Sequence, residues 1–330
     1  MNLEKLDNAA SQSYYTTEIL SPSSPKLDER RLWRPDRMRA VVTGANGFVG
    51  LHTVRGLLDS GYDVLAVDLA DSKLKAEFKD NKQCRIATID ILDKDFKKVI
   101  KKDDKVLHLA AIARFDDARQ NPQKAVRVNV EGTINIIQAC IEKKAERLVY
   151  SSTGSVYSHN VPIPIREDAR REPDSIYGLT KKQAEDWIFL YGENLPYVIL
   201  RYGYVYGKGK DWGAVGAFLK NLKEGKKPII FGGKQTNDFI YIKDIVQANL
   251  LALETEHTRQ AYNIGSGRAT SIKDVCELCI DAMKTDLTME IKPARVFDFP
   301  VFVYDISKAQ TLLNFDPKWN LSKGIRDTLK

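Results

Sequence analysis

Arg39-Ala40-Val41-Val42-Thr43, followed at once by Gly44-Ala45-Asn46-Gly47-Phe48-Val49-Gly50, decides the fold. The first five residues are a short apolar run of the kind that forms a buried strand. The glycine-rich segment comes next, and an amphipathic stretch through Leu57-Leu58 predicts a helix. Strand, glycine-rich turn and helix start suit a dinucleotide. The glycines permit a tight turn and the close approach of a pyrophosphate, which then sits at the helix N-terminus. Gly44, Asn46, Gly47, Phe48 and Val49 are the expected contacts of this turn. A lone glycine pattern is a weak signal, but here both flanks fit.

The second expected strand, Asp63–Val67, ends in Asp68, about 20 residues on, where an acidic side chain hydrogen-bonds the adenosine ribose 2′-hydroxyl and repels a 2′-phosphate. Leu69 and Ala70 follow, with no Arg to welcome that phosphate, so NAD is expected over NADP. Residues 85–89 read as a strand closing at Asp90-Ile91, placed to touch an adenine. Residues 105–111 read as another, running into Leu109-Ala110-Ala111 where the cofactor would lie. A helix is expected from Pro122 to Lys143, with Asn129 in it. Residues 147–150 then lead to Ser151-Ser152-Thr153. The repetition predicts an α/β fold, a Rossmann-like doubly wound parallel sheet with right-handed crossovers. Its ligands bind beyond the carboxyl ends of the strands, where Asp68 and Thr153 fall. The expected organisation is a flexible extension over 1–37 and an NAD-binding domain over 38–175. Residues 176–330 supply a helix, the last sheet strands and a smaller α/β substrate-binding part, interleaved with the cofactor domain.

Tyr177-Gly178-Leu179-Thr180-Lys181 puts a phenol and an ammonium one helical turn apart on one face. A positive charge at ~4 Å, in an effective dielectric of ~20, is worth ~4 kcal/mol or ~3 pKa units. Such a Tyr, ordinarily titrating near ~10, would approach neutrality and suit general acid–base work.

The bulk composition bounds the rest. The chain has 330 residues, 43% hydrophobic and 29% charged, which gives room for a full core. The net charge of +7 is spread over lysine pairs with acidic residues between them, and no basic stripe interleaves with aromatics. That excludes a nucleic-acid role and suits anionic ligands such as nucleotides. Of the four Cys, Cys276 and Cys279 share a stretch with helical apolar spacing, and no second pair or His cluster completes a metal site. They are expected to be buried helix thiols. Neither a signal-peptide core nor an apolar run of membrane-spanning length is present, so a cytoplasmic protein is expected.

From residue 39 to 330 the chain resembles the extended short-chain dehydrogenase/reductases, in particular the NAD-dependent nucleotide-sugar epimerase/dehydratase family. The resemblance is carried by residues 43–50, Asp68, His108-Leu109-Ala110-Ala111, Asn129-Val130-Glu131-Gly132-Thr133, Ser151-Ser152-Thr153 and Tyr177 with Lys181. Leu200-Arg201-Tyr202, residues 238–244 and residues 262–267 complete it. The resemblance implies that Tyr177 exchanges a proton with a sugar hydroxyl while hydride moves to or from the nicotinamide. It implies that Thr153 shares the hydrogen bond to that hydroxyl, and that Lys181 holds the nicotinamide ribose and lowers the Tyr177 pKa. Asn129 would support Lys181, and Ser151 would line the cofactor site. It further implies a homodimer built on the helices around 122–143 and 180–191.

Dehydratases of this family carry a carboxylate just after the Thr, whereas here Gly154, Ser155 and Val156 follow. The expectation is therefore an epimerase of the 4-epimerase type, acting on a nucleotide-diphosphate sugar with tightly held NAD. Two positions depart from the family's pattern. Tyr204 stands where an Asn is common, and Asn237 where an Arg meets the diphosphate. Arg295, Lys208, Lys210 and Lys234 are the cations left to contact that diphosphate. Arg114, Thr153, Tyr204 and Asn237 are the other expected substrate contacts, with Tyr204 also near the cofactor. Two alternatives stay open: an NAD-dependent dehydrogenase/reductase acting on another alcohol or ketone, and a non-catalytic NAD-binding regulator.

Overall fold

A computed structural model describes residues 38–294 and 300–330. The extension expected over 1–37 and the expected diphosphate contact Arg295 lie outside the described residues. Strands β1 (Arg39–Thr43), β2 (Asp63–Asp68), β3 (Cys84–Thr88), β4 (Lys105–His108), β5 (Arg147–Thr153) and β6 (Tyr197–Tyr202) come first. Between them run α1 (Phe48–Asp59), α2 (Ser72–Phe78), α3 (Phe115–Gln120), α4 (Pro122–Val126), α5 (Gly132–Lys143) and α6 (Ile176–Leu190). The chain goes on through β7 (Tyr204–Tyr206), α7 (Gly213–Lys223), β8 (Ile229–Phe231), β9 (Thr236–Tyr241), α8 (Ile242–Glu254) and β10 (Gln260–Ile264). It ends with β11 (Ala269–Ser271), α9 (Ile272–Met283), β12 (Glu290–Lys292), α10 (Ser307–Leu313) and α11 (Leu321–Thr328).

Seven strands form one sheet in the order β3-β2-β1-β4-β5-β6-β10, and every pair in it is parallel. The expected doubly wound sheet is therefore present. Its strands read as apolar runs because helices cover both faces. Side chains alternate between those faces. Val41, Leu65, Val106 and Leu148 pack with Ile136, Cys140, Ala184 and Ile188 on one side. Val42, Val64, Leu107 and Val149 pack with Leu57, Ala248 and Leu253 on the other. The strand order reverses between β1 and β4, which opens a crevice at their carboxyl ends.

Beyond that crevice β7, β9 and β11 make a small sheet, and β8 pairs with β12. Asp238 of β9 ties this region together by accepting from the backbone N–H groups of Ser266 (2.6 Å), Gly267 (3.1 Å) and Tyr304 (3.2 Å). Cys276 and Cys279 are buried in α9, and all four cysteines are free. Among the described residues there is no cluster able to hold a metal ion, and no helix is long and apolar enough to cross a membrane.

One element differs from expectation. The single helix foreseen over 122–143 is split by a π-helical turn, Arg127–Glu131, between α4 and α5. Asn129 sits in that turn, its Oδ1 accepting from Ile112 N at 2.8 Å and its Nδ2 donating to Thr180 Oγ1 at 2.9 Å. The widened turn aims the amide sideways into these partners, which a regular helical period in the sequence does not reveal.

Candidate active site

The site begins where β1 enters α1. Gly44 adopts φ +70°, and a Cβ there would lie 2.5 Å from Ala110 N and 2.7 Å from Ala110 Cα. The turn therefore touches the end of β4 through bare backbone, and Leu109 N donates to Thr43 O at 3.1 Å. Gly47 caps α1 without offering a side-chain oxygen, and no acidic residue stands in the first turn of that helix, Phe48 and Val49 included. The partial positive charge of the helix end thus meets no negative side chain of its own helix. Asp68, at the carboxyl end of β2, accepts from Asn46 N at 2.9 Å through Oδ2 and from Leu69 N at 2.7 Å through Oδ1. Close-packed glycines, a helix end without an anion and an acid at the end of β2 fit a dinucleotide.

Several expected contacts also have a structural task. The Asn46 side chain turns to α2, its Oδ1 accepting from Lys73 N (3.0 Å) and Leu74 N (3.1 Å), so only its backbone faces the turn. Asp90 Oδ1 accepts from Leu92 N at 2.9 Å. Ile91 is buried, and its side chain packs where a Cβ on Gly132 would collide. Ala111 leads into Ile112, whose backbone is bonded to Asn129. Ser151 Oγ donates to His108 O at 3.0 Å, locking β5 to β4.

A second group gathers at the carboxyl end of β5. Thr153 Oγ1 accepts from Ser155 N at 3.2 Å. Ser175 caps α6 by accepting from Gly178 N at 3.1 Å. A Cβ on Gly178 would collide with the Ser155 carbonyl, so α6 starts in backbone contact with the turn after Thr153. That contact brings Tyr177 beside Thr153. Burial pushes the Tyr177 phenol up to about 12, against a hydrogen bond with Thr153 that lowers it. Lys181 follows one turn along α6, almost wholly buried, with Nζ 4.0 Å from the centre of the Tyr150 ring. Burial holds this ammonium down to about 7, with Glu185 pulling it back up. The near-neutral Tyr177 expected from the Tyr–Lys spacing is thus not the state of the chain alone. Desolvation of the phenol outweighs every favourable contact, and Lys181 lies against Tyr150. Thr180, beside Lys181, receives the Asn129 amide, so the π turn also abuts this group.

The remaining expected residues stand farther along the crevice. The Arg114 guanidinium lies 5.9 Å from the centre of Trp212, and Lys210 Nζ lies 3.8 Å from the same ring. Tyr204, half-exposed on β7, meets Phe302 edge-on at 5.6 Å. Asn237 is buried in β9, paired in register with Thr270. Sequence reading missed Phe115, whose ring sits edge-on to Tyr177 at 5.4 Å. It also missed the buried pair of Glu185 and Arg201. The four-residue step from Lys181 to Glu185 was a signal for the second; nothing local marks the first.

The sequence profile of the NAD dependent epimerase/dehydratase family matches residues 40–265. The chain belongs to that family. Its cofactor is NAD. The chain is 32% identical to the UDP-glucuronate 4-epimerase of Thermodesulfobacterium geofontis, over 88% of this chain and 94% of that one. Among solved structures, a UDP-glucose 4-epimerase of Thermotoga maritima with UDP-glucose superposes with a TM-score of 0.83 at 30% identity, covering 88% of this chain and 97% of its own. A UDP-glucuronic acid 4-epimerase of Bacillus cereus, in complex with UDP-glucuronic acid and NAD, gives a TM-score of 0.83 at 32% identity, with 88% and 98% covered. Membership in this epimerase/dehydratase family agrees with the extended short-chain dehydrogenase/reductase resemblance of the sequence.

Proposed function

We propose that this protein is a nucleotide-sugar epimerase that inverts C4 of a UDP-hexose or its uronic acid, with NAD retained through the cycle. What carries this reading within the family is the residue after Thr153. A Cβ on Gly154 would run into the Phe302 ring and stand 2.5 Å from Tyr304 Oη. The place where a dehydratase needs a carboxyl acid–base is filled by two aromatic rings. The set Thr153, Tyr177 and Lys181 remains, which suits reversible oxidation of an alcohol. The 4-epimerase relatives support the substrate class.

In this reading the turn of Gly44, Asn46, Gly47, Phe48 and Val49 holds the pyrophosphate and Asp68 the adenosine ribose. Asp90 and Ile91 flank the adenine. Leu109, Ala110, Ala111, Asn129, Ser151 and Lys181 line the nicotinamide half, with Tyr204 at its edge. NAD, when bound, supplies a hydride acceptor and donor and a positively charged ring. Thr153 holds the C4 oxygen. Tyr177 takes the hydroxyl proton as the carbinol hydrogen leaves, and returns it to the oxygen after the ketone has presented its other face. Burial pushes the phenol up in the chain alone, and in this reading the Lys181 ammonium and the nicotinamide ring, when bound, are the positive charges that would favour its phenolate. Arg114 contacts the sugar end. Asn237 is neutral and buried, so the diphosphate contact is left to a cation, with Arg295, Lys208, Lys210 and Lys234 as the candidates.

The exposed apolar residues Leu179, Trp187 and Leu190 along α6 support a homodimer formed by this helix and α5. We place the enzyme in the cytoplasm. The test is a panel of UDP-hexoses and UDP-hexuronates with NAD, read by proton NMR and by NADH absorbance together. Interconversion of two C4 epimers without NADH accumulation is expected. Steady NADH accumulation would overturn the reading in favour of a dehydrogenase.

A further inference from the structure

Glu185 lies four residues after Lys181 on α6 and is fully buried. Arg201, from β6, grips it with both arms, Nε to Oε1 at 3.0 Å and Nη2 to Oε2 at 2.8 Å. Arg171, in the loop before α6, donates to Oε2 at 3.1 Å, and Ser152 Oγ donates to Oε1 at 2.5 Å. Ser152 is the residue immediately before Thr153. Arg201 also donates to Tyr157 Oη at 2.7 Å and to Glu167 O at 2.8 Å. One carboxylate thus joins the strand end that carries Thr153 to the helix that carries Tyr177 and Lys181.

From this geometry we infer that Glu185 is a positioning residue: its carboxylate keeps Lys181 protonated and fixes the end of β5. The inference rests on the proposed role of Lys181. A buried ammonium needs negative charge nearby to stay charged. The groups facing Lys181 are few. β5 presents the Tyr150 ring, a buried phenol that stays protonated. β4 presents His108, which is buried and neutral. The π turn and Thr180 present only an amide and a hydroxyl. Its own helix presents Tyr177, protonated by burial, and Glu185. α3, α4, the π turn and α5 also pack on α6, and their Asp116, Asp117, Arg119, Lys124, Arg127, Glu131 and Glu142 are exposed to solvent; Glu185 is the buried acid among these groups and the neighbour that raises the Lys181 pKa.

The test is a titration of Lys181 in the cofactor-free chain, followed by the shift of labelled lysine side chains in carbon–nitrogen NMR and assigned by the signal missing from Lys181→Arg. In Glu185→Gln the Lys181 midpoint should fall by about one pH unit. In Glu185→Asp, which keeps the charge, it should stay near the parent value. Because Glu185→Gln strands a buried Arg201, the double variant Glu185→Gln/Arg201→Met is compared with Arg201→Met alone, which lacks the same cation, and should titrate lower than that reference. An unmoved midpoint in whichever neutral variant folds would overturn the inference. The titration needs no turnover, so it stands or falls separately from the epimerase reading. In active protein, the alkaline limb of kcat/KM should move down with the midpoint; a purely structural Glu185 would lower the rate and leave that limb in place.

Discussion

The Lys181 ammonium rests 4.0 Å from the centre of the Tyr150 ring, one helical turn from the Tyr177 phenol. A ring face attracts a cation by only ~0.5–2 kcal/mol and does not neutralise it. The charge is stored beside the site and remains available when the cofactor ribose arrives. Tyr177, pushed up to about 12 in the chain alone, depends on that arrangement.

Tyr177→Phe should therefore bind NAD with little change and lose ~10²–10⁴-fold in turnover, the range for removal of a general acid–base group. Quenching of intrinsic fluorescence by NAD reports binding, and NMR of the sugar reports turnover. Turnover near the parent rate in this variant would remove Tyr177 from the mechanism.

Asp68 accepts from Asn46 N, so its carboxylate is fixed against the glycine turn at the end of β2. NAD should bind at least ~10-fold more tightly than NADP, since a 2′-phosphate would meet this carboxylate. Asp68→Ala should narrow that gap and weaken NAD as well, because the turn loses a backbone anchor. Equal affinities in the parent protein, measured by calorimetry, would exclude the assignment.

His108 bridges Thr43 Oγ1 at 2.7 Å and Thr133 Oγ1 at 3.0 Å, and burial pushes its imidazole down to about 3. An unfolded chain takes up this proton near ~6.5. Between those values the unfolded state binds a proton that the folded state refuses. The His108 contribution is thus intact above pH ~6.5 and drains as pH falls towards ~3, by up to ~1.4 kcal/mol per pH unit. His108→Gln should be less stable at pH 7.5 by ~1–3 kcal/mol, from the disturbed hydrogen bonds, yet lose stability less steeply on acidification. Urea unfolding at pH 7.5, 5.5 and 4.5 gives both slopes, and parallel slopes would count against the assignment.

Gly154→Ala places a methyl group against Phe302 and Tyr304. Overpacking of this kind costs ~1–3 kcal/mol. The strain falls on the turn that follows Thr153, so turnover should drop together with thermal stability. A variant as stable as the parent would mean that the two rings yield easily, and the argument from a filled position after Thr153 would weaken.

The parts of this molecule that were legible in the sequence are those set by local pattern. The strands at 39–43 and 63–68 are apolar runs ending at turn residues, and the glycines at 44 and 47 have no use in a regular helix. What stayed hidden depends on long-range placement. The π turn at Asn129 is made by partners at Ile112 and Thr180, and the Phe115 ring reaches Tyr177 from a separate helix. Spacing on a helix gives proximity to Lys181 but says nothing of the desolvation that pushes the Tyr177 phenol up in the chain alone. Gly154 looked like an omission of a carboxylate; only the rings at 302 and 304 show that the position is occupied.

The place of β10 in the sheet bears on how the protein is made. β6 lies between β5 and β10, yet everything from β7 to α8 is synthesised before β10 exists. Until then a growing chain holds an apolar strand with one open row of backbone donors and acceptors, a surface that invites pairing with other chains. A fragment cut after residue 175 would be worse placed, since it ends with β5 unpaired on one side and without the helix that carries Tyr177. Expression of shortened forms should therefore favour aggregation over half-active pieces, and the chain is best regarded as a unit of biosynthesis that closes only when its last parallel strand arrives.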